Sequence, residues 1–175
     1  DRLIAWMEDD SSVPNHPLMR IEKIDRSMYS GVWDKTKKEL VREVQESSFY
    51  SKQEIRVISI AGEKGNGRKF LVGQLAEELG KAILMVNVSF LGTMESLLQQ
   101  LRIILREVLL TPALLCITDL EKRTSWESMV TVLVKEYEDT VRKAYESGIQ
   151  KPPSERPLFI TCTDEIKLVY LLKQV

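Results

Sequence analysis

Four short runs of almost unbroken apolar residues punctuate the chain: Ile55 to Ile60, Ala82 to Val88, Ala113 to Ile117 and Pro157 to Ile160. Apolar runs of this length that do not alternate are the mark of strands covered on both faces of a parallel sheet. Between them the spacing changes. Trp33, Leu40, Val41 and Val44 recur at helical intervals, with Lys35, Lys38, Glu39, Arg42 and Glu43 largely off that face, which predicts an amphipathic helix from Trp33 to about Glu46. Leu71, Leu75 and Leu79 repeat every fourth position, and Gly80 stands where a left-handed helix cap belongs. Leu97, Leu98, Leu101, Ile104, Leu105 and Val108 predict a helix from about Met94 to Leu109. Met129, Val132, Leu133, Tyr137 and Val141 predict a longer one from Ser125 to Ser147. Strands alternating with helices predict a three-layer α/β sandwich around a parallel sheet.

The first thirty residues do not share this alternation. Leu3, Ile4, Trp6 and Met7 make one helix-like turn, and Asp9 to Pro17 then breaks any period, so residues 1–30 read as an arm laid over a core at 31–175. The opening Asp1-Arg2-Leu3, without a methionine, reads as a piece of something longer. His16, the only histidine, has no partner at metal-ligand spacing and reads as a solvated loop residue.

Composition narrows the picture further. The 175 residues suffice for one well-buried domain and are short for two. A formal net charge of −1 argues against a general nucleic-acid or anionic-membrane surface, and no apolar run approaches the ~20 residues of a membrane span. Cys116 and Cys162 each lie in an apolar run and read as small buried thiols, with a cytoplasmic location as the default.

Candidate chemistry lies where the first core strand ends. Ile58 to Phe70 runs from an apolar strand through Gly62, Glu63, Lys64, Gly65, Asn66 and Gly67 into a helix. That order of strand, glycine loop and helix is the P-loop pattern, in which the backbone curls to aim successive N–H groups at a phosphate and the helix dipole adds to the attraction. The glycine spacing is complete. The next two positions depart from the pattern: Arg68 stands where a lysine reaches the β- and γ-phosphates, and Lys69 stands where a Ser or Thr hydroxyl binds Mg²⁺. Arg keeps the charge in a different shape, and Lys69 cannot ligate a metal. The loop is thus suited to holding a phosphate and ill-suited to hydrolysing one; a ligand-free turn between strand and helix is the alternative.

In open α/β sheets ligands bind beyond the carboxyl ends of the strands, which directs attention to two further ends. The third strand ends in Cys116-Ile117-Thr118-Asp119-Leu120-Glu121. P-loop NTPases carry an Asp for Mg²⁺ followed by a catalytic Glu there. One register places Thr118 at the metal Asp, Asp119 at the catalytic Glu and Glu121 at a trailing Asp. The other makes Asp119 the metal Asp and leaves Leu120 where the Glu belongs. In both, one carboxylate of the pair is missing, and Asp119 also fits an ordinary helix N-cap. At the fourth strand, Thr163-Asp164 stands where an Asn would touch the γ-phosphate, and a carboxylate there would repel it.

Taken in order, Gly62 to Lys69, Ile117 to Glu121 and Thr163-Asp164 resemble the core of an AAA+ ATPase, over roughly residues 31–165. The resemblance implies a sheet ordered 5-1-4-3-2 and a ring-forming ancestor. It also implies that the fifth strand, the arginine finger and the helical lid would follow Val175, so that the core is incomplete. More narrowly, Asp1 to Trp6, the Gly67-Arg68-Lys69 ending and Leu105 to Leu110 are similar to the degenerate first module of tandem AAA+ proteins that accompany phage-tail-like contractile injection systems. Implied with it are ATP or ADP as ligand with Mg²⁺ in question, and other AAA+ modules of the same chain or ring as partners, in a homo-hexamer. A protein substrate of the parent machine is implied as well. The leading expectation is a catalytically degraded module serving assembly or regulation. The alternatives are a slow ATPase using Arg68 and Asp119, and a nucleotide-free scaffold.

Overall fold

The computed structural model describes residues 19–22, 34–47, 55–90, 94–110, 113–120, 126–148 and 155–163. Five strands form one sheet: β1 Met19–Glu22, β2 Val57–Ala61, β3 Ala82–Asn87, β4 Ala113–Thr118 and β5 Leu158–Cys162, in the spatial order β1-β3-β4-β5-β2. Four helices, α1 Asp34–Ser47, α2 Arg68–Glu78, α3 Met94–Leu110 and α4 Trp126–Glu146, alternate with the strands. The four apolar runs are β2 to β5, all parallel, and every predicted helix is present with its ends within two residues of expectation. Numbered from β2, the parallel strands stand 1-4-3-2, as the resemblance implied for the part of the sheet described.

One strand escaped the sequence reading, as did the short 3-10 turn Val88–Phe90 that follows β3. Within the stretch taken as an arm, Met19–Glu22 adds an antiparallel edge strand to β3, with Met19 opposite Val86 and Glu22 opposite Ile83. Four residues carry too little alternation to announce a strand, and what settles this one is the unpaired edge of β3. The helix-like turn at Leu3 to Met7, and His16, lie outside the described residues.

Side-chain alternation explains why the strands are apolar throughout. Leu84, Val86, Leu115, Ile117, Leu158 and Ile160 point to one face, where α3 supplies Leu101, Ile104, Leu105 and Val108, and α4 supplies Met129, Leu133, Tyr137 and Val141. Ile83, Met85, Leu114, Cys116 and Phe159 point to the other, covered by Leu71, Val72, Leu75 and Ala76 of α2 and by Leu40 and Val41 of α1. A strand sandwiched in this way has no polar face to show. Lys37, almost fully buried, ties the two helices of that layer together through Glu78 at 2.8 Å.

α2 ends as its sequence announced. Gly80 takes φ 65°, its N–H donates to Glu77 O and the N–H of Lys81 donates to Ala76 O, the paired bonds of a Schellman cap. On the opposite face, buried Tyr137 donates its hydroxyl to Arg156 O at 3.1 Å, while Arg156 Nη1 donates to Val108 O at 2.8 Å. Arg156, in what reads as a plain loop, thereby fastens the approach to β5 to both α3 and α4.

Burial also fixes how the fold responds to alkali. It pushes the Cys116 thiol from its ordinary 9.0 up to about 12, with the charge of Lys69 pulling weakly the other way. Burial raises the Tyr137 hydroxyl as well, against a smaller opposing effect of Arg156. An acid whose folded pKa is raised stays neutral in the fold while its unfolded counterpart ionises. Its contribution is therefore intact below about pH 9 and is lost as pH climbs towards 12. Urea denaturation at pH 8 and pH 11 is expected to show a fall of about 2 kcal/mol attributable to Cys116, absent in Cys116→Ala. Equal falls in the two proteins would show that Cys116 ionises freely in the fold.

Candidate functional site

The parallel register brings the carboxyl ends of the strands to one edge, with Ala61 beside Cys162 and Asn87 beside Thr118. The glycine loop leaves β2 at this edge. It is anchored where it departs, Gly62 N–H donating to Cys162 O at 3.1 Å, and it closes on itself where Asn66 N–H donates to Glu63 O at 3.2 Å. Gly65 has φ 94°, and Gly67, the residue capping α2, has φ 73° and ψ 18°. Left-handed backbone at Gly67 turns the chain into the first turn of α2, with Leu71 N–H already donating to Gly67 O at 2.9 Å. Gly67 itself offers no side chain to cap that helix end. Arg68 folds back over the loop, its Cγ and Cδ each 3.9 Å from where a side chain on Gly62 would begin.

Across the crevice, β4 ends in Thr118, and the next residue takes an uncommon conformation. Asp119 has φ 60°, left-handed backbone that costs a non-glycine residue on the order of 1 kcal/mol and is tolerated best by Asn and Asp. Its Oδ2 accepts a hydrogen bond from Thr118 Oγ1 at 3.2 Å and, at 2.7 Å, from the ammonium of Lys69, fifty positions earlier in the sequence. Lys69 is half exposed there and the Asp119 side chain is mostly covered. In water-facing geometry such a pair contributes about 1 kcal/mol at most to stability. Its weight is in what it does to the site.

Together these parts enclose a pocket of about 490 Å³. Lys64, Gly65, Gly67, Arg68 and Lys69 form one wall with the Phe70 ring, and Asp119 and Thr161 form the other. Three cationic side chains face one carboxylate, so the pocket is electropositive and suited to an anion. Of the residues that the sequence singled out, Lys64, Gly65, Gly67, Arg68, Lys69 and Asp119 meet here, while Asn66 belongs to the loop without lining the pocket. Gly62 and Glu63 lead into it, Thr118 reaches it through its bond to Asp119, and Thr163 is exposed one residue past β5. Glu121 and Asp164 lie outside the described residues. Thr161 and Phe70 went unremarked in the sequence; β5 runs two residues beyond the apolar stretch, which carries Thr161 inward to the pocket wall.

No family model and no curated protein sequence matches the chain. Among solved structures, the AAA domain of FIGL-1, crystallised in complex with ADP, aligns with a TM-score of 0.50 and 15% identity over 95% of this chain. The chain has an AAA+ fold. It spans 56% of the length of that FIGL-1 chain, and at 15% identity the likeness concerns the fold alone.

An AAA+ fold implies a nucleotide with Mg²⁺, and the residues present answer the two differently. A backbone loop with φ of 94° and 73° at its last two glycines, opening through Gly67 into a helix N-terminus beside Arg68 and Lys69, is a donor set that fits a phosphate. Mg²⁺ does not fit. It asks for hard oxygen ligands at about 2.0–2.1 Å, and the only carboxylate that lines the pocket among the described residues, Asp119, already carries the Lys69 ammonium on Oδ2. No group of three or more His, Cys, Asp or Glu side chains able to hold a metal occurs among the described residues, and none of the helices described is long and apolar enough to cross a membrane.

Proposed function

We propose that the chain is a degraded AAA+ module that binds the phosphates of ATP or ADP weakly, does not hydrolyse them, and serves assembly or regulation beside other AAA+ modules. The observation that carries this reading is the Lys69–Asp119 ion pair at 2.7 Å. Hydrolysis in P-loop proteins draws its rate from a positioned metal and a polarised water. Here the strand-end carboxylate is spent on a lysine, while the phosphate-facing loop keeps its shape. The ADP named with the FIGL-1 AAA domain supports a nucleotide as the ligand of this fold. The tandem setting, a homo-hexameric ring and a cytoplasmic location extend the reading to the parent machine, where an intact neighbouring module would supply turnover. A slow ATPase built on Arg68 and Asp119 is the less favoured alternative, because it needs Asp119 released from Lys69.

Calorimetric titration of ADP against the wild-type chain and Gly67→Ala tests the binding half. A methyl group at φ 73° forces strain of about 1–2 kcal/mol or a reshaped loop. The variant is therefore expected to lose that much stability and to bind ADP about tenfold more weakly, a factor equivalent to ~1.4 kcal/mol. Equal affinity in the two proteins, or no binding by the wild type at millimolar ADP, would contradict a nucleotide-binding loop and favour a nucleotide-free scaffold.

A further inference from the structure

We infer that Lys69 excludes the divalent cation from this site and stands in its place with a fixed side-chain charge, so that nucleoside phosphates bind here without a metal. The inference rests on the reading of the glycine loop as a phosphate site. Asp119 Oδ2 receives the ammonium at 2.7 Å and the Thr118 hydroxyl at 3.2 Å. A Mg²⁺ ion about 2.1 Å from that oxygen would sit against a full positive charge. At position 69, where a hydroxyl would supply the metal's second protein ligand, there is instead the cation that competes with it.

The ammonium is more than an obstacle. It has three donors, and one suffices for Asp119. Lys69 also lines the pocket and is half exposed, so the rest of its hydrogen-bonding capacity faces the space into which the loop directs a phosphate. Lys69 and Arg68 place two positive side chains at the first turn of α2: Arg68 stands where the P-loop pattern has its own lysine, and Lys69, one of its donors engaged by Asp119, brings a single charge where the metal would bring two, carried on a side chain rather than on an exchangeable ligand. Asp119, in its left-handed turn, acts as the positioning residue that holds the ammonium at the crevice. A charge fixed in this way makes nucleotide occupancy indifferent to Mg²⁺.

The test is the affinity of ADP measured by calorimetry, in excess Mg²⁺ and in EDTA, for the wild-type chain, Lys69→Thr and Lys69→Met. The wild type is expected to differ less than threefold between the two conditions. Lys69→Thr restores a hydroxyl and releases Asp119, and is expected to bind at least tenfold more tightly with Mg²⁺ than with EDTA. Lys69→Met, which has neither charge nor hydroxyl, is expected to bind at least tenfold more weakly than the wild type in both. A wild type strengthened tenfold by Mg²⁺, or a Lys69→Thr variant indifferent to it, would overturn the inference while leaving the phosphate site standing. Absence of ADP binding by the wild type in either condition would remove both together. Position 69 lies half exposed in the first turn of α2, and thermal melts of the variants separate lost binding from lost fold.

Discussion

Phe159→Ala is expected to destabilise the chain by about 3–5 kcal/mol, a large fraction of the 5–15 kcal/mol that a domain has in total. Phe159 is completely buried in β5, paired in register with Ile58 of β2 on one side and with Cys116 of β4 on the other. Its ring fills the layer between the sheet and α2, among Leu71, Val72 and Leu75. Truncation removes the apolar burial of the ring and leaves a cavity that strands fixed on both sides cannot close. The damage falls directly under the helix whose first turn carries Arg68 and Lys69, so ADP affinity should drop along with stability. Ile103, 45% exposed on α3, provides the contrast: Ile103→Ala should change stability by about 0.5 kcal/mol or less. Urea denaturation measures both, with an unchanged slope showing that the unfolded state is not what moved. A loss below 1 kcal/mol for Phe159→Ala would mean that this layer is not packed as described.

The same burial explains why so much of the sheet was legible. β2 to β5 are covered by helices on both faces, so their sequences are apolar without alternation, and the helices between them show one-sided stripes because each covers the sheet with one face. Gly80 was readable as a cap because only the local backbone decides it. β1 was not readable, since a four-residue edge strand is defined by the neighbour it pairs with rather than by its own pattern. The site divides along the same line. The glycine spacing and the missing hydroxyl at position 69 are local facts. The bond between Lys69 and Asp119 joins residues on α2 and just beyond β4, and only the crevice between two strand ends brings them together. Read separately, Lys69 was a lost metal ligand and Asp119 an orphaned carboxylate with two registers open. Their pairing sets Asp119 against the first turn of the helix that follows the glycine loop. The left-handed turn at Asp119, the inward Thr161 and the Tyr137–Arg156 fastening are likewise products of packing with no signal in spacing.

The largest functional effect expected is the absence of hydrolysis. Enzymes commonly turn over on the scale of ~1 s⁻¹ or faster, and each 1.36 kcal/mol of lost transition-state stabilisation slows a reaction about tenfold. P-loop catalysis relies on a metal bridging the β- and γ-phosphates and on a second group orienting water. In this chain Lys69 stands where the P-loop pattern has the metal-binding hydroxyl, and its ammonium engages Asp119, the one carboxylate lining the pocket among the described residues. Single-turnover incubation of ATP labelled in its γ-phosphate with an excess of the chain, in Mg²⁺, tests the chemistry directly. The account predicts that the label is recovered as intact ATP after hours. Label released as free phosphate at a rate near ~1 s⁻¹, and abolished by Asp119→Ala, would contradict it.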